Sequence, residues 1–544
     1  MASEARHSAM TLGTMTLSAM LVASPALAET PLNNHPVRLA WFETANMYHG
    51  GTFELNVGTI QTNPNAGSAT GNQLYFGGGS YAVNDRLTFG IDAQSYQDPV
   101  ISQINGANPD IVINTVAFWA KYQLYRGQNL SIAALVSAED AIRVESPLFG
   151  GTNKHVFFGA AKLPVTYKLS PMLEFHVTPS VTVMPDTLGG QPFYGTVASI
   201  GAGASFKPTE RLAFYGAVDM PVSGNNTITS TGAFAAEPVW VAGGRYNVTP
   251  RVAVDAYVTN GVGKTPAMSM LTHWPGGDDL LAGLHLTWTP GQGRPESYRG
   301  PVAPVTQRQK NLQMQGFTLD SASTMEPGDI SGSAWYGTHG NRGVALSWSP
   351  DFDGQLDLII EDYADSGSAN PALVPTTEPR YMFGPKLRLL DQNNGDPFSL
   401  SGRMLFGRQI QKGAAGVGVF YVEGAASYQV NDRFAVTLSP QIAAFGNTEI
   451  AGLGFGANYE LFNGLELIAE ATAVGLDASD PTWAAGLRYN FGETGFSVDA
   501  HATNAIGRYG IGTMIAQDET KFALSVTKRF NVANWRDAVP VFNR

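Results

Sequence analysis

Cysteine is absent from the 544 residues. That excludes a disulfide framework, a lipid-modified N-terminal Cys and all thiol chemistry, and leaves His and carboxylates as the side chains that could hold a metal. The nine His residues are scattered along the sequence, so neither a metal nor a cofactor is expected. Also missing is any run approaching about 18 apolar residues, so no helix is expected to cross a bilayer. Charged residues make up only 14%, with a net charge of -12, which argues against nucleic acid as a partner.

What the chain does have is glycine, 61 of them, with 10% aromatic residues and a mean hydropathy of -0.07. These totals suit strands that are apolar on one face and polar on the other, although a soluble array of β-sandwiches could share them. At the N-terminus, Arg6 precedes a weakly apolar stretch from Met10 to Ala23, and small residues stand at Ala26 and Ala28. Residues 1–28 therefore read as a signal peptide cleaved before Glu29, with a buried N-terminal helix as the alternative. Cleavage removes Glu4 and Arg6, one charge of each sign, and leaves the net charge unchanged.

A short turn recurs between two-residue-period segments, almost verbatim at Ser80-Tyr-Ala-Val-Asn-Asp-Arg-Leu87 and Ser427-Tyr-Gln-Val-Asn-Asp-Arg-Phe434. Aromatic residue, tight polar turn and renewed apolar alternation are how a β-barrel closes each hairpin at one membrane rim. About twelve strands are expected near 51–60, 73–83, 86–96, 111–125, 129–138, 155–169, 172–184, 193–206, 211–220, 237–248, 251–260 and 279–289. Tight turns alternate with long Gly, Asn and Pro-rich loops such as 97–110, 221–236 and 261–278. This predicts a first barrel repeat over 29–290, a Pro/Gly-rich periplasmic linker over 291–315, a second repeat over 316–530 and a tail over 531–544.

The second repeat rests on its closing hairpin. Gly244-Arg-Tyr-Asn-Val248 and Val254-Asp-Ala-Tyr-Val-Thr-Asn-Gly-Val-Gly-Lys264 match Gly486-Leu-Arg-Tyr-Asn-Phe491 and Val498-Asp-Ala-His-Ala-Thr-Asn-Ala-Ile-Gly-Arg508. A fainter echo links Phe42–Gly50 to Leu319–Gly328. The fold class is therefore all-β, either two tandem antiparallel barrels of about twelve strands or one of about twenty-four, and the long linker favours two.

The twofold repeat, with the Ala45 and Gly50 lead-in, resembles tandem-barrel outer-membrane proteins associated with exopolysaccharide export; bacterial porins are similar by strand pattern. The resemblance implies outer-membrane lipid and the barrel-assembly machinery as partners, with Phe530 resembling the terminal aromatic which that machinery reads. The roughly 23 residues between the cleavage site and the first strand are too few to suggest a transporter plug.

Strand alternation sets candidate lumen-lining residues: Glu54, Asp92, Glu174, Asp219, Arg245 and Asp255 in the first repeat, and Arg388, Arg403, Glu466, Glu470, Arg488 and Asp499 in the second. These charges either line a water-filled conduit or neutralise one another in a packed interior. Arg245 and Asp255, like Arg488 and Asp499, can meet across a hairpin, where a structural role is the simpler expectation. Asp499-Ala-His501 is the only cluster suggesting catalysis, and no nearby nucleophile completes it, so no enzyme is expected. The readings that stand are a porin-like protein passing small polar or ionic solutes, a subunit of polysaccharide export, and a structural or adhesive envelope protein with filled barrels.

Overall fold

The computed structural model describes residues 31–531 other than 62–72, 101, 290–297, 299–303, 364–370, 375–377, 411–416, 447 and 479. The expected signal peptide, about half of the linker and almost all of the tail lie outside the described residues. Two all-β units are present, and each is considered by itself.

The first unit is a barrel of twelve antiparallel strands: β1 (Phe53–Gln61), β2 (Gln73–Asn84), β3 (Leu87–Pro99), β4 (Asp110–Arg126), β5 (Leu130–Ser146), β6 (Gly151–Lys162 continued by Val165–Ser170), β7 (Leu173–Val183), β8 (Thr196–Phe206), β9 (Leu212–Ser223), β10 (Val239–Thr249), β11 (Val252–Thr259) and β12 (Leu281–Trp288). Both segments of β6 pair with β5 on one side and β7 on the other. The interruption falls at Leu163-Pro164, where proline has no N–H to give the ladder. Pairing of β12 with β1, from Trp288 opposite Leu55 to Ala282 opposite Gln61, closes the ring.

The second unit is a closed barrel of β13 (Asp329–Gly337), β14 (Arg342–Asp351), β15 (Gly354–Asp362), β16 (Arg380–Leu390), β17 (Ser399–Gln409), β18 (Val417–Gln429), β19 (Phe434–Phe445), β20 (Thr448–Phe462), β21 (Leu465–Leu476), β22 (Thr482–Asn490), β23 (Phe496–Ala505) and β24 (Ala516–Asn531). Strand β24 returns to β13, with Phe530 opposite Ile330. Tandem closed barrels are thus the architecture.

The twin turns show why these sequences reverse direction where they do. Asn84 Oδ1 accepts from the Arg86 N–H at 2.8 Å, and Asn431 Oδ1 accepts from the Arg433 and Phe434 N–H groups at 2.9 Å. In each, the Asn side chain replaces a backbone acceptor and sets the reversal. Between turns, the alternation is inverted relative to a water-soluble sheet. Along β7, Phe175, Val177, Val181 and Val183 are 42–52% exposed, whereas Glu174, His176, Thr178, Ser180 and Thr182 are 6% exposed or less. Strands apolar outside and polar inside match hydrocarbon on one face and a polar interior on the other.

This orientation has a measurable consequence. Phe455, near the middle of β20, is 58% exposed on the outer face. Phe455→Arg is expected to cost about 2–4 kcal/mol at the bilayer midplane, against about 0–1 kcal/mol for Phe462→Arg at the rim. Urea unfolding of the protein in lipid vesicles reads the difference; equal costs at both depths would contradict a lipid-facing β20.

Candidate functional site

The polar interior of each barrel is filled by two chain segments, one entering from each rim. In the first barrel the segment before β1 passes inward from the short-turn rim, anchored where Gly50 N–H donates to Asp85 Oδ1 at 2.8 Å. There it makes a small hairpin, Arg38–Leu39 against Phe42–Glu43, with Leu39, Ala40, Trp41 and Phe42 buried. The expectation that too few residues precede β1 for a plug is therefore corrected: a hairpin this small suffices because a twelve-stranded barrel is narrow.

Side chains of the wall hold this lead-in. Arg38 Nε lies 2.7 Å from Glu43 and its Nη1 3.2 Å from Asp92, while Lys121 Nζ reaches Glu43 at 3.3 Å. Trp41 Nε1 donates to Thr259 Oγ1 at 3.1 Å, Asn46 Nδ2 to Glu174 at 2.8 Å and Ala45 N–H to Thr166 Oγ1 at 2.9 Å. Gly201 makes room for the Phe42 ring, which a Cβ there would meet at 2.5 Å, beside the Asp219 carboxyl.

From the opposite rim, the loop between β11 and β12 folds down the barrel. Glu139 on β5 accepts from Thr265 Oγ1 and from Ala267 N–H, both at 2.6 Å, and Gln94 on β3 accepts from Lys264 N–H at 2.7 Å. Lys162 Nζ donates to Ser269 Oγ at 2.7 Å. The loop then packs Trp274 against Tyr96, ring centroids 5.8 Å apart. At its tip, Lys264 Nζ donates to the carbonyl of Ala40, joining the loop to the lead-in.

The second barrel repeats the arrangement. A helix, α1 (Gln307–Leu312), lies at the short-turn rim behind a capping box formed by Thr306 and Gln309. Its Arg308 pairs with Glu466 and donates to the Arg433 carbonyl at 3.0 Å. Residues expected to belong to the linker thus begin the second plug.

Beyond the helix the chain turns into the barrel. Asp320 meets Lys386 and Arg403, both at 3.1 Å, and Arg403 also reaches Asp357 at 3.0 Å. Glu423 accepts from the Asp320 N–H at 3.1 Å. Glu470 accepts from three consecutive N–H groups, those of Phe317, Thr318 and Leu319, at 2.6–3.2 Å. Phe317 stacks on His501 with centroids 4.4 Å apart.

The loop between β23 and β24 supplies the upper half of this plug. Glu361 accepts from the Arg508 and Tyr509 N–H groups at 2.8 and 3.2 Å. Ile506, Ile511, Met514 and Ile515 sit in an apolar cluster with Ile359, Tyr363, Leu405 and Phe445 of the wall. Arg508 donates to the Gly316 carbonyl at 3.3 Å and pairs with Asp499, to which Arg488 is also bonded at 2.7 and 3.0 Å. Lys264 and Arg508 end the matching Thr-Asn-x-x-Gly sequences of the two repeats, and each ties its loop to its lead-in.

Of the twelve candidate residues, eleven are buried inside the barrels and Glu54 is half-buried. Arg245 donates to Asp255 at 3.0–3.1 Å. Arg388 holds Asp353 at 3.0 Å and Asp391 at 2.9 Å near the short-turn rim. Glu54 accepts from Asn56 at 3.3 Å. Asp92 and Glu174 touch the first lead-in; Arg403, Glu466, Glu470 and Arg488 touch the second. Asp219, Asp255 and Asp499 are buried on the inner faces of the walls. Asp499 binds Arg488 and Arg508, and His501 stacks on Phe317.

Sequence reasoning missed Glu43, Glu139, Lys264, Asp320 and Arg508. One signal was available for the loops, since Ala267-Met-Ser-Met-Leu271 and Ile511 to Ile515 are too apolar for loops standing free in water.

No family model matches the chain, and no curated protein does. Among solved structures it is similar to the KdgM porin, with 7% identity over 43% of this chain and 98% of that one at a TM-score of 0.28. It is also similar to the NanC porin, with 9% identity over 43% and 98% at 0.28, and to the siderophore receptor PirA from Pseudomonas aeruginosa, with 8% identity over 88% and 80% at 0.23. On its own geometry the chain forms two tandem closed twelve-stranded antiparallel barrels that are apolar outside, polar within and internally plugged.

Proposed function

We propose that the protein resides in the outer membrane of a Gram-negative-type bacterium and passes small polar or ionic solutes through barrels that open when their plugs are released. The observation that carries this reading is how the lead-ins are seated. Arg38, Glu43 and Asp92 in one barrel, and Asp320, Lys386 and Arg403 in the other, hold chain segment to wall through ion pairs. Such groups exchange partners with incoming water more readily than an apolar seal does. A purely structural filler would be better served by hydrocarbon, since replacing buried ion pairs by packed apolar groups is often neutral or stabilising. The apolar cluster under the loop of the second barrel favours a second reading, in which that half stays shut and serves the envelope structurally.

A full-length variant lacking residues 33–48 tests the proposal in planar bilayers. Loss of the first lead-in is expected to give larger and more frequent conductance steps than the parent protein. The current should prefer cations, because Asp92, Glu174 and Asp219 lose their cover, and the preference should fade with salt. A silent variant that still folds and inserts would move the balance to the filled-barrel reading. Export and assembly complete the proposal: cleavage before Glu29, and docking of β24 with its Phe530 on the barrel-assembly machinery.

A further inference from the structure

A cavity of about 60 Å³ in the second barrel lies between the lead-in and the wall of β13, β14 and β24, with room for several waters. Its wall side is built from small hydroxyl residues. Ser347 stands opposite Ser331, and Ser331 opposite Arg529, in one cross-strand row. Facing them are Lys386, Arg403, Arg488 and Arg508. The carboxylates that balance these cations, Asp357 and Asp499, do not line the space; Asp320 of the lead-in is the only acidic residue that does. Arg508 is 3% exposed, and its Nε has no hydrogen-bond partner among the described residues.

We propose that this cavity is a binding site for an oxyanion, a sulfate, phosphate or carboxylate group of a small solute. The lining presents N–H and O–H donors and positive charge, and its one carboxylate is already spent on Lys386 and Arg403. A cation would face the five cationic side chains of the lining, Lys386, Arg403, Arg488, Arg508 and Arg529, with Asp320 alone to offset them, and a neutral solute would leave the guanidinium groups as they are. An oxyanion gains charge-assisted bonds from Arg508 and the serines. It also competes with Asp320 for Lys386 and Arg403, one negative charge replacing another, so binding loosens the lead-in. The site thus names the solute class for the transport reading, on which its purpose rests.

The test uses full-length protein in detergent and radiolabelled sulfate in equilibrium dialysis, with unlabelled phosphate, acetate and chloride as competitors. Saturable binding is expected, displaced by phosphate or acetate and at least about tenfold less well by chloride, which cannot accept several directed hydrogen bonds at once. Competition by phosphate but not acetate assigns a tetrahedral anion, and the reverse assigns a carboxylate. Ser347→Leu, which fills the space and leaves every charge in place, should weaken sulfate binding at least about tenfold. Asp320→Asn, which removes the internal competitor, should strengthen it.

In the parent protein, sulfate should speed trypsin cleavage at Arg308 and Lys310 as the lead-in loosens. Heat-modifiable gel migration identifies folded variants, and either of Ser347→Leu and Asp320→Asn is a sufficient test if the other fails to fold. No saturable binding, equal displacement by chloride, or unchanged binding in Ser347→Leu would overturn the site. Sulfate binding in a protein that stays silent in bilayers upholds the site and removes the transport reading; conductance without sulfate binding does the opposite.

Discussion

A fragment comprising residues 29–289, refolded alone in detergent, is expected to give a complete, protease-resistant barrel with the full β-content of its half. The expectation rests on the seam: β12 and β1 pair over seven consecutive positions, from Trp288 with Leu55 to Ala282 with Gln61. Every strand of the fragment then has two neighbours, and no row of unpaired N–H and C=O groups is left to recruit another chain. The plug travels with the fragment, since the first lead-in and the loop that meets it lie within the same range. Circular dichroism and migration on unboiled gels give the readout. Aggregation with loss of β-signal would mean that the halves are not separable.

The largest single-residue effect is expected at Arg403. Its guanidinium lies 3.1 Å from Asp320, 3.0 Å from Asp357 and 4.0 Å from Glu423, all buried. Arg403→Met keeps much of the volume and leaves three carboxylates with Lys386 as the nearby cation. Stranding buried charge in this way costs about 3–5 kcal/mol, far more than the ~0.2–1 kcal/mol of an exposed pair. Arg403→Lys should fall between, because it restores the charge without the planar fork that serves several carboxylates. Urea unfolding in detergent should show the second barrel destabilised and the first unmoved. A loss below about 1 kcal/mol would indicate that water already reaches this cluster and screens it.

The strands and their tight turns were legible because both depend on local signals. Two-residue alternation marks a wall with different solvents on its faces, and Asn84 and Asn431 set their reversals within a few residues. The hairpin of β5 and β6 was underestimated where Glu139, Asp140, Arg143 and Glu145 crowd the sequence. Charges on a strand near the long-loop rim look like loop, although Glu139 points inward and holds Ala267. The opposed pairs Arg245 with Asp255 and Arg488 with Asp499 could be placed, since a known turn fixes register.

The plugs were not legible. A segment bound inside a barrel needs no periodicity of its own, and what it touches is decided by wall residues up to two hundred positions away. Thr166 with Ala45 and Glu470 with Thr318 are contacts of that kind.

Glu470, Glu361, Glu139 and Gln94 grip their plugs by main-chain N–H groups, which every residue except proline can offer. The wall must therefore keep particular side chains, while the gripped segments can change theirs and still be held. Two halves descended from one ancestor would then diverge unevenly, fast along the threads inside the rings and slowly around the rings themselves. The lead-ins fit that pattern, Phe42–Gly50 and Leu319–Gly328 being barely alike while the Arg-Tyr-Asn and Val-Asp-Ala stretches of the closing hairpins match letter for letter; the loops have kept their first residues, up to Lys264 and Arg508.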